Sequence, residues 1–376
     1  MITDSPVHTP DVPDVALPRA PRLLKRVAGL DSIRFLMALW VVVSHYGFFQ
    51  FQYALPKFAH TLHLTQLDKA IGAIFCGPAA VVVFFVISGF CIHIPYHRGK
   101  DLSLTSYFVR REVRIAIPVL VTSIIGAYIV HDNGYYNVFW SLFCEEIYYT
   151  LYPLMLAIRR KMGSWMPILA FSAVVSALSL VLFLPTASEP IAFYGMGYKA
   201  TWMLGWPIWI LGCILAESCD DVREWTKPKH SIWLWRGLIW GVSVVMMFFR
   251  FHGHHWKSLG DVSYAITLPF LGVLAYFWLK QEISYFSTHP VSKILEKAGL
   301  ASYTLYLTHH LSFAILGVDG KTTHTHPLMW CAIVAVSTTF TVTFYFLVEK
   351  PSHQLARMLG DKLDRLGSRR TAPALA

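Results

Sequence analysis

Histidine, glutamate and arginine stand inside or at the mouths of long apolar segments of this chain, where lipid would make them costly without a task. The first such segment reads LDSIRFLMALWVVVSHY and carries Asp31, Arg34 and His45. Arg34 and His45 are eleven residues apart, which at about 100° and 1.5 Å per residue returns to one helix face about 16 Å further along. A later segment, WSLFCEEIYY, carries Trp140, Ser141 and Glu145. If the first segment enters from the cytoplasm, helix rise puts His45 roughly 6 to 8 Å below the outer boundary and Glu145 about 12 Å below it. The two could then share a layer. A carboxylate beside an imidazole fixes its tautomer and raises its basicity, as a general base for a hydroxyl needs. A structural ion pair joining two helices is the other reading of the same residues.

At the opposite face the residues suit phosphate. In YFVRREVRIAIP, Arg110, Arg111 and Arg114 stand at the mouth of a span, and Arg111 and Arg114 share a helix face. Guanidinium forks match phosphate oxygens, so this cluster could hold the nucleotide end of a donor such as coenzyme A, or serve only as positive-inside anchoring. Ser88 and Gly89, in VVVFFVISGFCIH, would admit a close backbone approach by a ligand or a neighbouring helix. Tyr303 and His309 lie in SYTLYLTHH, where a mid-membrane histidine suggests a wet cavity or a packing role. Glu349, in VEKP, reads as an interfacial ion pair. The run FHGHHW, with His252, His254 and His255, lacks acidic or cysteine companions at standard spacing, and no metal site is expected.

These residues need a bundle to position them. Ten apolar stretches long enough to cross a hydrocarbon core centre on 31–50, 72–94, 113–131, 137–158, 165–185, 200–217, 232–250, 261–279, 299–318 and 328–348. With the N-terminus inside, 24 of the 32 Lys and Arg fall on the cytoplasmic side and 6 outside, the remaining two being Arg34 and Arg236 within spans. That asymmetry puts both termini in the cytoplasm. The expected fold is an all-α polytopic transmembrane bundle of about ten spans. Residues 1–29, without a signal peptide's apolar stretch, read as a disordered cytoplasmic tail, 30–350 as the transmembrane domain, and 351–376 as a basic cytoplasmic tail.

Composition agrees, with 55% hydrophobic residues and 14% charged, and a mean hydropathy of +0.48. The net charge of +10 sits at the ends of apolar segments rather than on an aromatic-interleaved face, so the partner expected is the lipid bilayer and not nucleic acid. The six cysteines form no CxxC pair and read as free thiols used in packing.

The motifs together resemble acyltransferase family 3, bacterial membrane proteins that O-acylate polysaccharides and other glycosides. Arg34 and His45 with ten residues between them, FFVISGF at 84–90, the RRxxRxxxP turn from Arg110 to Pro118, WSLFCEEIYYTLYP at 140–153, SYTLYLTHH at 302–310 and EKP at 349–351 follow the family's order. The resemblance implies acyl-CoA, usually acetyl-CoA, as donor substrate, no permanently bound cofactor, and a sugar-containing acceptor. It implies His45 as catalytic base, Glu145 as its acidic partner, and Arg34, Arg111 and Arg114 in donor handling. It matches His309 with the family's late histidine. Phe143, Cys144 and Ile147 depart from the pattern, and His310 stands where an aromatic is common.

The expected activity is therefore transfer of an acetyl group to a sugar hydroxyl at a bacterial cytoplasmic membrane, by direct attack or through an acylated Ser88. Arginines below and a His–Glu pair above would also suit a proton-coupled transporter of a carboxylate or glycan-related substrate, although no inverted repeat is visible. Acceptor choice is expected in the outer loops 50–71, 186–199 and 251–260.

Overall fold

Apolar segments of this length must satisfy their backbone polar groups internally, and the chain does so with helices. The structure, a computed structural model, describes residues 27–47, 50–129, 139–183, 196–219, 231–252, 264–315 and 327–371. The helices are α1 (Leu30–Tyr46), α2 (Phe51–Ala54), α3 (Leu64–Ala73), α4 (Gly77–His97), α5 (Leu104–Ile129), α6 (Trp140–Met162), α7 (Met166–Phe183), α8 (Gly197–Ser218), α9 (Ile232–His252), α10 (Tyr264–Thr288), α11 (Lys293–Gly299), α12 (Ser302–Ile315), α13 (Pro327–Phe344) and α14 (Lys350–Thr371). No strand occurs among the described residues.

Each of the ten apolar segments coincides with a helix. Four helical stretches are long and apolar enough to cross a membrane by length and composition: Leu64–His97, Met166–Phe183, Ala200–Ser218 and Pro327–Leu366. Several others carry ionisable residues, such as Arg34 on α1, Arg111 and Arg114 on α5, and Glu145 and Glu146 on α6. They are the helices that build the site.

The centre of the bundle is α4, which packs on α1, α8 and α10. Its residues from Ala79 to Val83 are buried in succession, so it is enclosed on all sides. Two glycines let α4 and α8 touch backbone to backbone. A Cβ on Gly89 would sit 2.0 Å from the Trp209 carbonyl oxygen, and one on Gly212 would sit 2.1 Å from that of Val86. Small residues at a crossing are how helices approach closely in lipid.

Carboxylates from neighbouring helices cap the first turns of α1 and α12. Glu296 on α11 accepts from Ser32 N at 3.0 Å and Ser32 Oγ at 2.7 Å. Glu349 is buried and accepts from Thr304 N at 3.1 Å and from Thr304 Oγ1. Both acids satisfy N–H groups that a helix start leaves unpaired. Glu349 therefore caps a helix, where an interfacial ion pair was expected.

Residues 351–376, expected as a tail, are helical through Thr371. α13 runs through a π turn at Tyr345–Glu349 into α14, which lies along α5. Arg110 fixes that contact, reaching Asp364 Oδ2 at 2.6 Å and Asp361 Oδ1 at 2.9 Å. Arg236 of α9, the other cation expected inside a span, forks onto Glu282 of α10 at 2.7 and 2.9 Å. The paired geometry accounts for a charge at that depth. The six cysteines are free thiols, as expected.

Candidate active site

α1, α4, α5, α6 and α12 enclose a cavity with about 890 Å³ of empty space out to its mouth. Arg34, Arg111 and Arg114 line it together with Glu145, and Ser88, Ser141, Tyr149, Ser302, Tyr303 and Tyr306 supply hydroxyls to an otherwise apolar wall. The residues come from helical periodicity. Arg111 and Arg114 are three apart on α5, Glu145 and Tyr149 four apart on α6, and Tyr303 and Tyr306 three apart on α12, so each pair shares a face.

Three guanidinium groups face one carboxylate in this cavity. Glu145 stands beside Ser88 and Tyr149, with Arg34 and Arg114 near enough to balance its charge. Arg111 lies over the Tyr149 ring, 5.9 Å from its centre. Among the described residues neither Arg111 nor Arg114 forms an ion pair at contact distance. Cations enclosed this way favour an anionic guest. The Tyr303 hydroxyl and Ser302 Oγ are both buried without a hydrogen-bond partner, leaving them available to a bound group.

A second cavity meets the first at Arg34 and Arg114, which line both. Its other walls include Asp31, Glu349, Lys350, His353, Gln354 and Arg357. Lys350, His353 and Arg357 follow i, i+3, i+7 spacing on one face of α14. Arg34 and Arg114 therefore stand between the α14 side and Glu145, a wall common to both cavities.

His45 does not line either cavity. Its Nδ1 lies 2.9 Å from His309 Nε2, and the rings are parallel to within 3°. His309 Nδ1 is 2.6 Å from the Tyr306 carbonyl oxygen, to which it can only donate. Its Nε2 therefore carries the lone pair, so His45 Nδ1–H donates to it and His45 Nε2 is left basic. Tyr306 in turn reaches the cavity, its hydroxyl 2.6 Å from Ser141 Oγ.

This arrangement changes several expected roles. The imidazole of His309, not the carboxylate of Glu145, orients His45. Glu145 instead stands in the cavity beside Ser88 and Tyr149, with Arg34 and Arg114 nearby. Arg110 is committed to α14 and lines neither cavity. Gly89 serves the α4–α8 crossing rather than a ligand. Ser88 does line the cavity, bonded to Tyr149 OH at 2.9 Å and accepting from Trp209 Nε1 at 3.2 Å. Trp140 packs edge-on against Phe85 with ring centres 6.2 Å apart. Asp31 lies 3.5 Å from Arg34 Nη1, at the second cavity.

Tyr149, Ser302, Tyr306 and the α14 cations were not singled out from the sequence. Their signal is helical spacing from residues that were. The 50–71 segment, expected as an outer loop, contains α2 and the start of α3, with Asp68 accepting from Phe51 N at 2.9 Å and Gln52 N at 3.1 Å. Residues 184–195, most of the 186–199 loop, lie outside the described residues, as do 253–263 with His254 and His255; nothing is described of the His252 side chain.

With this cavity built from the motif-bearing helices, the comparison with known families is decisive. A family model for an acyltransferase domain matches residues 27–346. The chain belongs to acyltransferase family 3. Arg34, His45, Arg111, Arg114, Glu145 and His309 all fall within the matched span, so the cavity and the His45–His309 pair are parts of an acyltransferase domain in a membrane protein. No curated protein and no solved structure matches the chain.

Proposed function

We propose that this membrane acyltransferase moves an acetyl group from acetyl-CoA to a hydroxyl of a sugar in a glycan, glycolipid or glycoside. The observation that carries this reading is that two neighbouring cavities share Arg34 and Arg114 as a common wall, with further cations on the α14 side and Glu145 on the other. Coenzyme A is a polyanion with a long uncharged arm ending in the thioester. Lys350, His353 and Arg357 suit its phosphates, Arg34 and Arg114 stand at the common wall, and the hydroxyl-lined cavity suits the arm.

The acceptor comes from the outer side, where His45 stands. His45 Nε2 takes the hydroxyl proton as the sugar oxygen attacks the thioester carbon. The buried Tyr303 hydroxyl supplies a donor to the tetrahedral oxyanion, while Arg34, about 16 Å from His45 along α1, holds the donor substrate. The C–S bond then breaks, and the proton on His45 passes to the departing sulfur. The His309 bond to His45 Nδ1 keeps the correct nitrogen basic through the cycle. Ser88 lies in the cavity beside Glu145, bonded to Tyr149 and Trp209, whereas His45, the base of this reading, lines neither cavity, so the base is assigned to direct transfer and not to an acyl-serine.

The charge asymmetry of the sequence supports ten spans with both termini cytoplasmic in a bacterial inner membrane, placing donor and acceptor on opposite sides. The test is full-length protein in detergent with radiolabelled acetyl-CoA and a panel of glycan acceptors, wild type beside His45→Ala. Label transferred by the wild type and lost in a folded His45→Ala supports the reading. A wild type that neither binds nor consumes acetyl-CoA overturns it.

A further inference from the structure

The outer ends of α1 and α12 carry one imidazole more than a general base and its partner use. The ring centre of His310 lies 4.7 Å from that of His45 and 4.4 Å from that of His309. One nitrogen from each of the three rings lies within 4.8 Å of the others. His309 is buried, His310 half-buried and His45 exposed, so the cluster has a fixed floor and an open side. His309 Nε2 already directs its lone pair at His45, because its Nδ1 is committed to the Tyr306 carbonyl.

Three neutral imidazoles with an open fourth position are a donor set that divalent zinc-class cations bind. Nitrogens about 2.0 to 2.1 Å from such an ion in tetrahedral geometry are roughly 3.3 Å apart. The His45–His309 separation of 2.9 Å needs to widen by a few tenths of an ångström, and the separations to the His310 nitrogen, which lie within 4.8 Å, need to settle to the same value. The exposed His45 ring can turn to do so.

We propose that His45, His309 and His310 bind a divalent transition cation of the zinc class, and that the ion reversibly inhibits the transferase by occupying its base. The inhibition rests on the reading of His45 as that base. An ion on His45 Nδ1 displaces its proton, which moves through solvent to Nε2 and leaves no lone pair for a hydroxyl. An ion on Nε2 takes the lone pair directly. His310 is the residue that converts a hydrogen-bonded pair into a three-ligand site.

The other grouping of ligand type, His93, His97 and Glu217, has its carboxylate beside Arg159 Nε at 2.7 Å and Trp165 Nε1 at 2.9 Å. It is unchanged by substitutions at His310 and serves as the internal background.

The experiment uses the full chain purified on a non-histidine tag, with zinc content measured by mass spectrometry and cobalt substitution followed by visible absorption. Wild type is compared with His310→Phe and His310→Ala, each checked for monodispersity and melting temperature. The wild type is expected to hold one ion more than either variant, and the variants to bind at this site at least about tenfold more weakly. Zinc is expected to inhibit labelled transfer by the wild type, a chelator to restore it, and His310→Phe to keep transfer while losing most of the zinc sensitivity. Equal ion content and affinity in wild type and folded His310→Phe would overturn the site, and zinc raising transfer would overturn inhibition. A wild type that binds the ion yet neither consumes acetyl-CoA nor transfers label after a chelator has stripped the ion supports the metal site and overturns the transferase reading, so the two fail separately.

Discussion

His45 Nδ1 lies 2.9 Å from His309 Nε2, and the Tyr306 carbonyl fixes His309 from its far side. Within the chain Tyr306–His309–His45 the basic nitrogen is His45 Nε2. Removing the base in His45→Ala is expected to lower kcat by about 10² to 10⁴-fold, the ordinary contribution of a general base. His309→Ala should lower kcat less and shift the pH–rate profile, with the KM for acetyl-CoA unchanged. A profile identical to wild type would show that His309 does not set the state of His45.

Arg34 and Arg114 belong to both cavities, while Arg111 is already over the Tyr149 ring. A hydrogen bond to a charged group contributes about 1.5 to 3 kcal/mol, so Arg114→Ala should raise the KM for acetyl-CoA roughly 10- to 150-fold. Arg114→Lys should recover part of this, since ammonium keeps the charge but not the fork. Arg111→Ala should have a smaller effect. Initial rates over a range of donor concentrations decide the order, and an Arg114→Ala enzyme with wild-type KM would remove this residue from the donor path.

The helices and the residues that line the cavity were largely legible in the sequence, because both follow from periodicity. Every apolar segment became a helix, and Arg34, Arg111, Arg114, Glu145, Ser88, Ser141 and Tyr303 all reached one cavity. Helix rise allowed His45 and Glu145 to share a layer but could not pair them. Pairing depends on rotation about each helix axis and on which helices are neighbours. That is why the imidazole of His309, 264 residues away in the chain, took the position assigned to Glu145. Arg110 misled for a related reason. It is adjacent in sequence to a cavity arginine but about 100° round the helix from it, and points at α14.

Arg110 offers a test of that assignment. It bonds Asp361 and Asp364 together with Ser106 Oγ at 3.0 Å, and so joins α5 to α14. Arg110→Ala should lower stability by only about 0.5 to 1 kcal/mol, since its acidic partners are more than a third exposed and solvent screens them. The loss should shrink at high salt. Hydrogen exchange should rise along α14, with little change in the KM for acetyl-CoA compared with Arg114→Ala. A KM defect as large as that of Arg114→Ala would return Arg110 to the donor path.

Glu145 separates two accounts of the site. If it oriented His45, Glu145→Gln would resemble His309→Ala, with kcat lowered and the pH–rate profile displaced. The geometry gives a different expectation. Glu145 offsets part of the charge of Arg34 and Arg114 in a cavity where three cations meet one carboxylate. Neutralising it leaves those cations less restrained and more attractive to a polyanion. Glu145→Gln should therefore change the KM for acetyl-CoA and slow release of the CoA product while leaving the shape of the pH–rate profile alone. Glu145→Asp, which keeps the charge on a shorter arm, should restore donor affinity. A displaced pH–rate profile in Glu145→Gln, not rescued by Asp, would tie the carboxylate to His45 after all.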